Sequence, residues 1–97
     1  MTLEQFKLSL DANDPPSQIS PALAGLWWDA KGDWDRAHTS AMADKSDDGS
    51  WVHAYLHRKE GDSVNSGGWY TRAKRPFCKD SLEQEWQAIA QELLARQ

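Results

Sequence analysis

The chain has little cysteine, no long apolar run and no excess of positive charge. Cys78 is the single cysteine among 97 residues, which excludes an intramolecular disulfide and a thiolate metal cluster and favours a reducing compartment. No segment approaches the roughly 20 apolar residues that span a bilayer, and the N-terminus lacks the features of a signal peptide. A net charge of −4 argues against non-specific nucleic-acid binding. We therefore expect a cytoplasmic protein that binds neither nucleic acid nor membranes.

What the chain does contain is tryptophan, with six copies in a sequence whose apolar fraction is 39%. Each aromatic side chain buries roughly 150–250 Å², so a few large residues can supply most of a small core. A chain of this length forms one domain, and we expect residues 1–97 to fold as a single unit.

The sequence predicts an all-α fold. Apolar residues recur with helical spacing in six segments, which are residues 3–10, 22–31, 34–44, 50–60, 63–73 and 81–95. Thr2 and Ser20 have the character of N-cap residues, and residues 80–84 offer two overlapping capping boxes for the last segment, one from Asp80 and one from Ser81. A proline-containing run over residues 11–17 and a polar run over residues 44–49 separate neighbouring segments.

A Gly-Asp dipeptide occurs twice, as Gly32-Asp33 and Gly61-Asp62, at an offset of 29 residues. Each glycine suits the left-handed position that follows a helix, and each aspartate suits the N-cap of the next one. The repeated unit is therefore a helix, a tight turn and a second helix. Gly67 and Gly68 interrupt the second such unit, and we expect them to allow close packing against the Trp27-Trp28 region.

These units resemble the tetratricopeptide repeat (TPR), whose signature combines small and aromatic residues around a Gly-Asp turn. The matching positions, within residues 21–76, are Gly25, Trp28, Gly32, Asp33, Trp34 and Ala37 in the first unit and Ala54, Gly61, Asp62, Ser66, Tyr70 and Ala73 in the second. The resemblance implies two TPR-like helical hairpins. A short N-terminal helix and a C-terminal capping helix would flank them.

Two segments, residues 26–34 and 51–62, are also similar to those of a group of small bacterial helical proteins with no known activity. That resemblance implies a fold and a domain extent, and it implies no chemistry.

The second unit departs from the repeat at His53 and His57, where the repeat has apolar packing residues. Together with Glu60 they stand at i, i+4 and i+7, which places two imidazoles and a carboxylate on one helix face, as a divalent metal would require. Further ligands would have to come from His38, Asp29 or Asp35. The alternative is that both histidines are partly buried and hydrogen-bonded between helices, with the same aspartates as candidate partners.

The leading functional hypothesis is a non-enzymatic interaction module that binds a partner protein or peptide in the groove between the hairpins. Tryptophan and arginine are the residues that most often anchor such interfaces, and we expect one or two of Trp27, Trp28, Trp51 and Trp69 to be partly exposed. The candidate binding residues are Trp28, Asp29, His53, His57, Arg58, Trp69 and Arg72.

Under this hypothesis the chain has no catalytic residue, resident metal or cofactor. The alternative is a metal-binding protein or metal-dependent enzyme that uses His53, His57 and Glu60. A third interpretation is a structural subunit that forms a homodimer through a tryptophan surface.

Overall fold

A computed structural model describes residues 1–96, and in this range the chain is all-helical, with no strand. None of the helices in that range has the length and apolar character needed to cross a membrane. The elements are α1 (Leu3–Leu8), a 3₁₀ turn (Ser9–Asp11), α2 (Pro21–Ala30), α3 (Trp34–Ala43), α4 (Asp47–Lys59), α5 (Ser63–Ala73) and α6 (Leu82–Ala95).

The predicted caps at Thr2 and Ser20 are confirmed, and of the two candidates for the last helix, Asp80 and Ser81, the structure uses Ser81. Both Thr2 and Ser81 form complete capping boxes with the glutamine three residues further on, and the Ser20 side chain accepts a hydrogen bond from the Leu23 amide at 3.2 Å. Each cap satisfies an amide that the first helical turn leaves without a partner.

The two Gly-Asp turns have the predicted geometry. Gly32 and Gly61 adopt φ angles of 81° and 89°, a region that residues with a Cβ rarely occupy. Asp33 caps α3 through the Arg36 amide at 3.0 Å, and Asp62 caps α5 in the same way at 3.2 Å. As a result α2 packs on α3, and α4 packs on α5.

Helix α4 is the central element, because it contacts α2, α3, α5 and α6. It begins at Asp47, three residues before the predicted start at Ser50. Two acidic residues in its first turn, Asp47 and Asp48, favour this earlier start, since they lie at the positive end of the helix dipole. Gly49 is buried against the Asp44 backbone, where a side chain would collide.

Helices α1 and α6 close the core on the other side. The Trp86 indole donates to the Leu26 carbonyl at 3.0 Å, and its ring stacks on Phe6 at a centroid distance of 5.8 Å. On the same helix, the buried Glu85 carboxylate accepts hydrogen bonds from Arg58 and Tyr70. This contact ties α6 to both α4 and α5.

The expectation for Gly67 and Gly68 was wrong. No heavy atom lies within 4 Å of the position that a Cβ would take at either residue, so neither glycine is needed for close packing. The physical reason is that they face away from the core, and the Trp27-Trp28 region lies elsewhere. Close approaches occur instead at Gly49, as described above, and at Gly25, where the Ala37 carbonyl oxygen would be 3.1 Å from a Cβ.

Candidate metal centre

Three imidazoles meet between α3 and α4, and they are the three histidines of the sequence. His38 lies on α3, and His53 and His57 lie one turn apart on α4. The Nε2 atoms of His38 and His53 are 2.8 Å apart, and one ring nitrogen from each histidine lies within 4.8 Å of the others. His53 and His57 are buried, while His38 is partly exposed.

Tryptophan rings hold two of these imidazoles in place. Trp34 precedes His38 by one helical turn and stacks on it at a centroid distance of 4.8 Å, while its indole donates to the Leu56 carbonyl at 3.2 Å. Trp69 of α5 stacks on His53 at 3.8 Å. The histidine cluster is therefore built by three consecutive helices, α3 to α5.

His57 is oriented by Glu60. Its Nδ1 lies 2.6 Å from a Glu60 carboxylate oxygen, which leaves Nε2 as the free ring nitrogen. A carboxylate that holds the second nitrogen of a histidine is common behind metal ligands, because it fixes the ring and raises its basicity. The sequence analysis placed Glu60 beside His53 and His57 as a candidate metal ligand. In the structure Glu60 contacts Nδ1 of His57, and His38 is the third member of the histidine cluster.

A second grouping, His57 with Glu60 and Asp62, shares one histidine with the first cluster. Both of its carboxylates are exposed and already engaged, Glu60 by His57 and Asp62 by the Asn65 amide that it caps. The grouping of three histidines is therefore the better candidate for a metal site.

The environment favours neutral imidazoles at His38 and His53. Burial, and then the neighbouring histidines, lower the pKa of His53 from 6.5 to about 4, and the nearby positive charge of Arg72 acts in the same direction. Burial followed by the proximity of His57 also lowers the pKa of His38. Neutral imidazole is the form that coordinates a metal ion.

A cleft of about 280 Å³ opens beside His53. Trp69 and Arg72 of α5 line one side, and Lys45 and Asp44 line another. The Asp44 carboxylate is already engaged by the Ala22 amide at 3.1 Å and by the Ser46 amide at 3.0 Å. The cleft therefore contains two cationic side chains, Lys45 and Arg72, beside the Asp44 carboxylate and the Ser50 hydroxyl.

The structure brings together four of the seven candidate binding residues, namely His53, His57, Trp69 and Arg72. Trp28 lies on another face, where the Arg36 guanidinium covers its ring at 4.6 Å. Trp28 and Trp69 are partly exposed whereas Trp27 and Trp51 are buried, which matches the expectation for the four tryptophans.

The remaining two candidates, Asp29 and Arg58, serve contacts inside the fold. Asp29 accepts hydrogen bonds from the Tyr55 hydroxyl and from Lys59, both at 2.9 Å. The Arg58 guanidinium is 2.8 Å from the buried Glu85 carboxylate.

The alternative prediction was that both α4 histidines are partly buried and hydrogen-bonded between helices. Both are buried, and for His53 the bond between helices is confirmed, whereas the suggested partners Asp29 and Asp35 were wrong. His53 pairs with His38, and His57 pairs with Glu60. Sequence reasoning also missed Trp34 as part of the cluster. The available signal was its i, i+4 spacing to His38, which places both rings on one face of α3.

Comparison with protein-family models, curated proteins and solved structures gave no match for this chain. The functional argument therefore depends on the geometry of the histidine cluster and its surroundings.

Proposed function

We propose that this protein binds a divalent transition-metal ion such as Zn²⁺ through His38, His53 and His57. The observation that carries the proposal is the convergence of three ring nitrogens within 4.8 Å of one another. Tetrahedral zinc at about 2.0–2.1 Å from each nitrogen places ligand nitrogens about 3.3 Å apart. The His38 and His53 nitrogens, now at 2.8 Å, would need to separate by only about half an ångström.

Two features around the ligands support metal binding. Stacked indoles restrict His38 and His53, so little side-chain entropy is left to lose when a metal binds. Glu60 supplies the carboxylate that metal-bound histidines commonly contact through their second nitrogen.

Three protein ligands leave one position of a tetrahedral ion open. Sites of this kind in zinc enzymes bind water, whose pKa the metal lowers to about 7. The proposed site is therefore compatible with a metal-dependent enzyme as well as with a metal-binding protein.

The test is metal stoichiometry in protein purified without a histidine tag. After incubation with Zn²⁺ and gel filtration, we expect one zinc ion per chain, as measured by inductively coupled plasma mass spectrometry. His38→Gln should lower zinc affinity by more than about 100-fold, because it removes a ligand, and Glu60→Gln should lower it by about 10- to 100-fold. His38 is the least buried of the three ligands, so its replacement disturbs the core least.

Glu83→Gln is the control for the loss of a carboxylate, since Glu83 is exposed and lies on α6, outside the histidine cluster. It should leave zinc affinity close to that of the wild type. Failure to retain zinc, or equal affinity in His38→Gln and wild-type protein, would overturn the proposal.

We also propose, as a second candidate, that the helix pairs α2–α3 and α4–α5 are TPR-like hairpins that bind a partner protein or peptide. The observation in its favour is the partly exposed Trp28 with Arg36 stacked on it, away from the histidine cluster. Arg58 is engaged by Glu85, so Trp28 and Arg36 are the anchors in this proposal. Arg36→Gln, at an exposed position, should weaken capture of the partner at nearly unchanged melting temperature, whereas Trp28→Ser should abolish capture and also lower the melting temperature, because Trp28 packs on Trp27. Retained capture in both variants would exclude this surface.

A further inference from the structure

A larger cleft, of about 460 Å³, opens on another side of α4. Tyr55 and Lys59 line it, and each follows a histidine of the cluster by two residues, which is slightly more than half a helical turn. The two residues therefore point away from the histidine cluster. This space, the α6 cleft, is also lined by Leu82, Glu83, Trp86 and Gln87 of α6.

Two buried polar side chains, Asp29 and Tyr55, line the α6 cleft. The Asp29 carboxylate accepts one hydrogen bond from the Tyr55 hydroxyl and one from the Lys59 ammonium, each at 2.9 Å. Lys59 and Asp29 therefore neutralise each other, and this pair adds no net charge to the cleft.

Two further charged side chains line the α6 cleft, and their charges have opposite signs. Lys7 lies on α1 and Glu83 lies on α6, and both are exposed. Within residues 1–96 no ion pair involves either of them. The cleft therefore has a lining of zero formal charge, in which one cation and one anion have no ionic partner from the fold.

The α6 cleft also has an apolar wall, which includes Leu10, Leu82 and Trp86. Trp86 is fixed there, because its indole donates to the Leu26 carbonyl and its ring stacks on Phe6. An apolar wall of this kind favours an apolar group of a ligand, since contact removes the surfaces of both from water.

We infer that the α6 cleft binds a free amino acid with an apolar side chain, such as leucine. The ligand carboxylate pairs with Lys7, its ammonium group pairs with Glu83, and its side chain contacts the apolar wall. A zwitterion matches both unpaired charges, whereas a simple carboxylate is repelled by Glu83 and a simple amine is repelled by Lys7. The cleft volume lies in the range of small-molecule sites.

The experiment titrates the full ¹⁵N-labelled chain with L-leucine and follows the backbone amide signals by NMR. Leucine should shift the amides of residues that line the α6 cleft, and the shifts should saturate. Glycine should bind at least about 10-fold more weakly, because it has no side chain to bury. N-acetyl-L-leucine and L-leucinamide, which lack the ammonium and the carboxylate charge, should each bind about 2- to 5-fold more weakly, since their lost partners are exposed.

Two charge variants test the assignment of each ligand group. Glu83→Gln should weaken leucine binding by about 2- to 5-fold and should not weaken N-acetyl-L-leucine, which has no ammonium charge. Lys7→Gln should weaken leucine binding to a similar extent and should not weaken L-leucinamide. Lys79→Gln is the matched control, because Lys79 is an exposed lysine that lines a different cleft, and it should bind leucine as the wild type does.

The location and the charge dependence of the shifts decide the outcome. Shifts that do not saturate, or that fall outside the α6 cleft, would overturn the inference. Equal binding of leucine and its two blocked forms would contradict the roles of Lys7 and Glu83 and, with them, the assignment of a zwitterion. Glu83→Gln should keep wild-type zinc affinity, so failure of this inference and failure of the proposed metal site are distinguishable.

Discussion

At the scale of single residues, polar side chains inside this domain are held by specific partners. Among the described residues, no buried side-chain nitrogen or oxygen is without a hydrogen-bond partner. Ser66 donates to the Ala54 carbonyl at 2.8 Å, and Tyr55 donates to Asp29. Such pairing offsets the cost of burial, because a polar group buried without a partner costs about 1–3 kcal/mol. It also separates residues used by the fold from residues available to a ligand.

Glu92 gives a prediction at this scale, since it lies at the end of α6 between Arg75 and Arg96. The hydrogen bond from Arg75 lowers the pKa of the Glu92 carboxyl below 4.5, despite the opposing effect of burial. A carboxyl whose pKa is depressed in the folded state stabilises the fold above its unfolded pKa. That contribution is lost as the pH falls through the folded value.

Glu92→Gln should therefore lower the free energy of unfolding by about 0.5–1 kcal/mol at pH 7, because the ion pairs are partly exposed. The difference should shrink as the pH falls below 4.5 and disappear once the wild-type carboxyl is protonated in the folded state. Urea unfolding at pH 7 and at a series of lower pH values measures it, and 1 M NaCl at pH 7 should reduce it through screening. A difference that does not change with pH would contradict this account.

At the scale of elements, α4 determines the arrangement of the others. It is buried on nearly all sides, and its eight buried residues include Trp51, Leu56 and both of its histidines. The helix can start at Asp47 because Gly49, in its first turn, leaves space for the Asp44 backbone. A hydrophobic pattern cannot reveal this start, since residues 47–50 are polar or small and the constraint comes from a contact outside the helix.

Two glycine substitutions test this reading of the helices. In Gly49→Ala the added Cβ would lie 2.0 Å from the Asp44 carbonyl oxygen, so the backbone must move. We expect a loss of about 1–3 kcal/mol in the free energy of unfolding. Gly68→Ala is the matched control within α5, where nothing lies within 4 Å, and it should stabilise the protein by about 0.5–1 kcal/mol.

Denaturant unfolding of the two variants and the wild type measures both effects. Equal effects of the two alanines would show that helix propensity, and not the contact with Asp44, governs position 49.

At the scale of the whole molecule, the candidate site exists only where three helices meet. His38 comes from α3, His53 and His57 come from α4, and the Trp69 ring that covers His53 comes from α5. The other side of α4 contacts α6, where Glu85 joins Arg58 and Tyr70. The central helix therefore presents its histidines to one side and anchors the C-terminal helix on the other.

Much of the fold was predictable because its signals are local. The caps at Thr2, Ser20 and Ser81 and the two Gly-Asp turns depend on residues within three or four positions of one another. The function of Gly67 and Gly68 was not predictable in this way, because a glycine that permits close packing and one that faces solvent have the same sequence signal.

The candidate site was predictable only in part. The spacing of His53, His57 and Glu60 placed them on one helical face, and the structure keeps them together. The spacing did not reveal that the Glu60 carboxylate would contact Nδ1 of His57 and not the other histidines of the cluster. The side-chain direction depends on the end of α4, where the chain turns at Gly61.

The sequence by itself determined the helices, the two tight turns and the placement of His53 and His57 one helical turn apart. These features follow from hydrogen bonding and periodicity along a short stretch of chain. Only the tertiary structure decided that His38 completes the cluster, that Asp29 and Arg58 are used inside the fold, and that no carboxylate within residues 1–96 forms an ion pair with Arg72. Those outcomes depend on contacts between residues 15 to 30 positions apart, which packing of the helices sets.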